Sequence, residues 1–103
     1  MRKCLIAPEA REDIHEILAY IRKERLSAAI RLRENFEKKW QLLREFPKSG
    51  PRHPEFGPSV RILVVGNYVI FYRLIPDGVL VTQVCDGRCD LPKVFRGILE
   101  PDE

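Results

Sequence analysis

No apolar run in the 103-residue chain approaches the ~20 residues that a helix needs to span a bilayer. At the N-terminus Leu5-Ile6-Ala7 is cut off by Pro8 and Glu9, too short a stretch for the core of a signal peptide. A cytoplasmic protein without membrane contact is the expectation. Cysteine is sparse and odd in number, three in all, which excludes a disulfide framework and suits reduced thiols. The two histidines, His15 and His53, have no ligand-like spacing. Cys85 and Cys89 form one close pair with no second pair to complete a zinc site, so no metal is expected. A cysteine nucleophile needs a base beside it, and neither histidine can be placed there from sequence. A glycine-rich phosphate loop and a paired-carboxylate arrangement are also missing, and no cofactor is expected.

What is present is the balance of a soluble globular protein, 45% hydrophobic and 32% charged. One domain spanning 1–103 is the expected organisation, long enough to bury roughly two thirds of its unfolded surface. The net charge of +3 is unevenly spread. Residues 47–75 carry Lys48, Arg52, Arg61 and Arg73 against Glu55 alone, whereas residues 76–103 carry three cations against six acids. A basic middle suits phosphates or an acidic protein partner. It lacks the dense Lys/Arg stripe of a dedicated nucleic-acid binder, and direct sequence-specific nucleic-acid binding is not expected.

Periodicity divides the chain. Leu5-Ile6-Ala7 reads as a first strand. Pro8 suits a first helical turn, and Glu9, Glu12 and Asp13 suit a helix N-terminus. Ile14, Ile17, Leu18 and Ile21 share one helical face, and Arg22, Lys23 and Arg25 close the helix. Ser27 reads as the N-cap of a second helix running to about Glu45, with Ala29, Leu32, Phe36, Trp40 and Leu43 on its apolar face. The short link predicts an antiparallel helical hairpin. Pro47, Gly50, Pro51, Pro54, Gly57 and Pro58 make residues 47–59 a loop, long for so small a domain.

From Val60 the period becomes that of strands. Val60–Val65, Tyr68–Leu74 and Val79–Val84 are separated by turns at Gly66-Asn67 and Pro76-Asp77-Gly78. The order β-α-α-β-β-β predicts an α+β two-layer sandwich: an N-terminal strand, then a helical hairpin packed on an antiparallel β-meander. Tyr68 and Tyr72 fall on one sheet face, but periodicity does not choose which. Arg61 and Arg73 each interrupt an apolar strand, and either snorkel to an edge or face an open surface ready for an acid or phosphate. Arg88 stands beside Asp86 and Asp90 as a local ion pair.

Several stretches, in order, resemble the type II toxin superfamily that contains the gyrase-poisoning ParE toxins and the mRNA-cleaving RelE toxins. They are Ala7-Pro8-Glu9-Ala10-Arg11-Glu12-Asp13-Ile14, then Ala28-Ala29, then Leu43 with Phe46-Pro47 and Gly50. Arg61-Ile62-Leu63, Tyr68-x-Ile70-x-Tyr72-Arg73 and Val84-x-x-Gly87-Arg88-x-Asp90 complete the match over about residues 4–96. The RelE branch implies a ribosome-dependent endoribonuclease that uses several cations and often a C-terminal tyrosine. Here Phe95 stands where the tyrosine is wanted, and Val64 is apolar where an arginine is possible. Cys85 and Asp86 occupy a stretch where many relatives carry a histidine-containing element.

The ParE branch is therefore the closer resemblance. It implies a non-enzymatic toxin that traps DNA gyrase in its cleaved-DNA state. It also implies a ParD-like antitoxin whose tail folds on binding, in a groove between the helical hairpin and the sheet. Arg61, Tyr72, Arg73, Arg88, Asp90 and Phe95 are the target- or antitoxin-binding residues it implies, with no catalytic residue. Arg61→Ala or Arg88→Ala is expected to weaken toxicity without unfolding the protein. The alternatives are the ribonuclease and a repurposed member that only binds its partner.

Overall fold

The computed structural model describes residues 2–86. Strand β1 (Lys3–Ile6) leads through Ala7 into helix α1 (Pro8–Glu24). Ala7 is extended, and Pro8 opens the helix where its missing N–H has no partner to lose. The basic residues Arg22 and Lys23 lie in the last turn, as the helix dipole favours. Helix α2 (Leu26–Glu45) follows after a single extended residue, Arg25.

That one-residue junction corrects the N-cap expected at Ser27. The Arg25 N–H closes α1 on the Ile21 carbonyl, and the Arg25 carbonyl opens α2 by accepting from Ala29 at 3.2 Å. Ser27 is already inside the first turn, and no side chain caps the helix. A backbone group shared between two helices leaves a capping serine no place.

Strands β2 (Arg61–Val65), β3 (Tyr68–Ile75) and β4 (Gly78–Asp86) form the antiparallel meander, and β1 pairs parallel with β4. The sheet order is β1-β4-β3-β2, which puts the first and last strands side by side. Val65, Ile70, Tyr72, Val79, Val81 and Val84 face the helices and pack on Ala10, Leu32, Phe36, Trp40 and Leu43. Phe36 and Trp40 stack at 5.8 Å between ring centroids, and Tyr68 tilts onto Phe36 at 6.3 Å. Both Tyr68 and Tyr72 therefore join the core on the helical side. Burying one such aromatic contributes roughly 1.5–3 kcal/mol. The exposed Lys3–Asp77 pair at 3.8 Å contributes about 1 kcal/mol at most.

Simple alternation fails in β4. Phe71 pairs with Gln83 but Tyr72 pairs with Val81, so Thr82 is an extra residue on that strand. The bulge puts Val81 and Val84 on the same buried face although they are three apart. A second, smaller cluster lies on the opposite face, where Ile62, Phe71 and Cys85 are covered by Phe56. Phe56 belongs to a 3-10 turn, Pro54–Phe56, and its ring meets Phe71 edge-on at 6.0 Å. Part of the loop thus covers this cluster on the outer sheet face.

One bond ties α1 to the sheet beyond the end of β1. The β1–β4 register runs only to Val81, and the Val84 N–H further along donates to the Asp13 carboxylate at 3.1 Å. Asp13→Ala leaves that part-buried donor without its acceptor. The expected loss is about 1–2 kcal/mol, read as a lower urea midpoint with unchanged slope, and Asp13→Asn recovers part of it.

Candidate functional site

Two constructions among the described residues compete for function. The first is the root of the loop. Tyr72 is 1% exposed, and its hydroxyl reaches through the sheet edge to the loop backbone. It donates to the Pro47 carbonyl at 2.8 Å and accepts from the Gly50 N–H at 2.9 Å. A methyl group on Gly50 would stand 2.8 Å from that hydroxyl, so the close approach requires glycine. The Arg61 guanidinium donates to the Gly50 carbonyl at 2.8 Å and more weakly to the Lys48 carbonyl at 3.4 Å. Burial pushes the Tyr72 phenol above its ordinary value, against the opposing pull of the Gly50 N–H and Arg61.

The structure brings Arg61 and Tyr72 together and sets Arg73 apart from them. Arg61 and Tyr72 pair across β2 and β3 on the helical side and are spent on holding the loop. Arg73, next along β3, points to the outer face and is exposed. The hairpin does not gather them into one exposed site. An accessible proton-transfer group beside a free cation, which RNA cleavage needs, is not built from these three. Cys4 is half-buried, and burial pushes its thiol up, away from the thiolate that a nucleophile requires. Cys85 is buried. Among the described residues no group of His, Cys, Asp and Glu is placed to hold a metal ion. Arg88, Asp90 and Phe95 lie outside the described residues.

The second construction is a crease along the helical hairpin. Arg11, His15, Leu18 and Arg22 recur at helical spacing on α1, and Leu26, Ile30, Arg33 and Glu37 do so on α2. Two adjoining cavities of about 400 and 420 Å³ share His15, Leu18 and Arg33. Ile6, Ile14, Phe36 and Trp40 line one, and Ala29 and Ile30 line the other. Ile30 is 44% exposed, an apolar residue presented to water on the rim. Arg11, Arg22 and Arg33 line the two cavities together with one acid, Glu37. From Arg11 to Arg22 is eleven residues, or about 16 Å of helix at 1.5 Å per residue. A three-turn helix fits that length. Sequence reasoning gave Arg22 to the closing turn of α1 and gave Arg11 and Arg33 no part in a site; the eleven-residue spacing of Arg11 and Arg22, about three helical turns, was the available signal.

No curated protein matches this sequence. Among solved structures, the toxin–antitoxin assembly described as a chromosomal ParDE system from P. aeruginosa is similar. Its matching chain superposes with a TM-score of 0.69 at 16% identity, covering 84% of this chain and 96% of that one. At that identity the likeness establishes the fold, which is the expected α+β arrangement of strand, two helices and meander. The family model described as ParE toxin of type II toxin-antitoxin system, parDE, matches residues 5–91, from within β1 to past the end of β4. The chain belongs to the ParE toxin family of type II toxin–antitoxin systems.

Proposed function

We propose that this toxin acts in the cytoplasm on DNA gyrase, holding the cleaved-DNA state, and that a ParD-like antitoxin neutralises it by laying an acid-bearing segment along the helical crease. The family match over residues 5–91 carries the reading, and the similar ParDE assembly supports the existence of a partner. The crease supplies the chemistry for that partner. Its apolar floor takes the buried face of a segment that folds on binding, and Arg11, Arg22 and Arg33 take its carboxylates. The ribonuclease alternative draws no support from the hairpin, where Arg61 and the Tyr72 hydroxyl are committed to the loop backbone.

Controlled induction of the toxin alone, followed by isolation of covalent gyrase–DNA complexes, tests the target. Trapped complexes with intact mRNA support the reading; prompt mRNA cleavage without complexes defeats it. For the antitoxin, Arg33→Glu lies between the two cavities and reverses a charge at the middle of the crease. It is expected to weaken antitoxin binding about tenfold or more, about 1.4 kcal/mol, in a titration calorimeter. Unchanged affinity would remove the crease from the interface.

A further inference from the structure

The helical crease holds one group whose charge is not fixed. Its polar row on α1 is Arg11, His15 and Arg22. The imidazole therefore stands about one turn after one guanidinium and about two turns before the other. The two cavities share His15, Leu18 and Arg33, so His15 and Arg33 are the polar residues at the waist where they join. A segment laid along the crease passes both. From α2 the charged lining groups are Arg33 and Glu37, and β1 adds only the apolar Ile6. Glu37 lines the half next to Trp40 and not the half next to Ile30. On α1 itself Glu12 stands one turn before His15, but it lines neither cavity.

The bland account is an exposed surface histidine that titrates without consequence, its charge screened by water and salt. That account suits an isolated imidazole. Here a carboxylate brought to Arg33 is brought to the same waist that His15 lines. The bound partner thus presents the charge that favours the protonated ring.

We propose that His15 makes antitoxin affinity depend on pH, its imidazolium joining Arg11, Arg22 and Arg33 in holding the carboxylates of the bound segment. The inference rests on the crease reading above and adds a regulation to that same site. Histidine is the side chain whose charge changes between about pH 5 and 8. The complex favours the protonated ring, so binding takes up a proton. Affinity therefore rises as pH falls through this range and drops as pH rises through it. The partner's Asp and Glu side chains, with ordinary values of about 4, stay ionised over most of it. Acidification tightens the hold on the toxin, and an alkaline shift opens a neutral gap in the middle of the cationic row.

The test is calorimetric titration of the full-length toxin with its cognate antitoxin, recovered from the co-expressed complex, at low salt and at about pH 5.5 and about pH 8. His15 is exposed, so His15→Gln and His15→Arg should both fold. The ratio of acid to alkaline affinity should be about two- to fivefold larger for the parent than for His15→Gln, the scale of one exposed ion pair. His15→Arg should bind at the tighter level at both pH values. Buffers of different ionisation enthalpy should show proton uptake by the parent that His15→Gln loses. Equal ratios for the parent and His15→Gln would overturn the proposal. So would a uniform loss of affinity in His15→Gln at both pH values, which would make the ring a packing element. The Arg33→Glu variant separates this failure from failure of the crease. If it weakens binding while the two ratios are equal, the crease stands and the role of His15 falls. If it leaves affinity unchanged, the crease falls and His15 with it.

Discussion

Gly78→Ala is expected to be the most damaging single-methyl change in the chain, lowering stability by about 3 kcal/mol and the melting midpoint by roughly 12–24 °C. Gly78 opens β4 at φ 154°, a conformation that side chains strain to adopt. Its Cβ would fall 1.9 Å from the Lys3 carbonyl oxygen and 2.6 Å from the Lys3 nitrogen. Lys3 is the first residue of the β1 pairing register and donates to the Asp77 carbonyl at 2.7 Å. Both obstructing atoms are backbone, so no side chain can swing aside. The edge strand must separate from β4, and Cys4 and Ile6 leave the core with it. Gly66→Asn is the control. Gly66 also has a positive φ, 57°, but no atom lies within 4 Å of its added Cβ. Asparagine tolerates that left-handed region, so the cost should stay within about 1 kcal/mol. Thermal melts of the two variants measure the difference. A Gly78→Ala protein that melts within 2–3 °C of the parent, on the order of half a kcal/mol, would contradict the parallel β1–β4 pairing.

This pairing marks the boundary of what was legible. The two helices, the Gly66-Asn67 hairpin and the three later strands follow from local periodicity, because 3.6 and 2.0 repeats are written into consecutive residues. The partner of β1 is not local: Leu5 meets Leu80, and nothing in either stretch names the other. The same limit hid the bulge at Thr82, which exists only relative to the β3 register. It also hid the crease, since Arg11 and Arg33 become neighbours only when α1 and α2 pack together. Arg61 and Tyr72 were legible as unusual but not as structural. Their partners are backbone atoms of residues 47–50, between 11 and 25 positions away. Arg73, chosen for the same reason as Arg61, differs because strand alternation turns it to the other face.

Tyr72→Phe carries the second large effect and isolates one oxygen atom. The ring is fully buried, so phenylalanine keeps the packing and loses only the hydroxyl. The Gly50 N–H then has no acceptor and the Pro47 carbonyl loses its donor. Leaving such buried groups unpaired costs about 1–3 kcal/mol. Arg61 still holds the Gly50 carbonyl, so the loop root loosens without detaching. The pH dependence identifies the cause. Burial raises the Tyr72 phenol above its ordinary value of 10.0. A raised value means that the folded state favours the protonated form, so the unfolded chain releases this proton first as pH rises. The stabilisation is whole below pH 10, begins to fall there, and is lost as pH passes the raised folded value. Phenylalanine has no such proton. The stability gap between the parent and Tyr72→Phe should therefore be widest near neutral pH and shrink as pH rises past 10.0 towards the raised folded value. Denaturant midpoints for both proteins across that range provide the measurement. A gap that stays constant would mean that burial does not hold the phenol protonated, whereas no gap at neutral pH would mean that its bonds to Pro47 and Gly50 contribute nothing. A gap of the expected size at neutral pH would assign to one buried phenol the work of fastening the root of a thirteen-residue loop, 47–59, to the sheet.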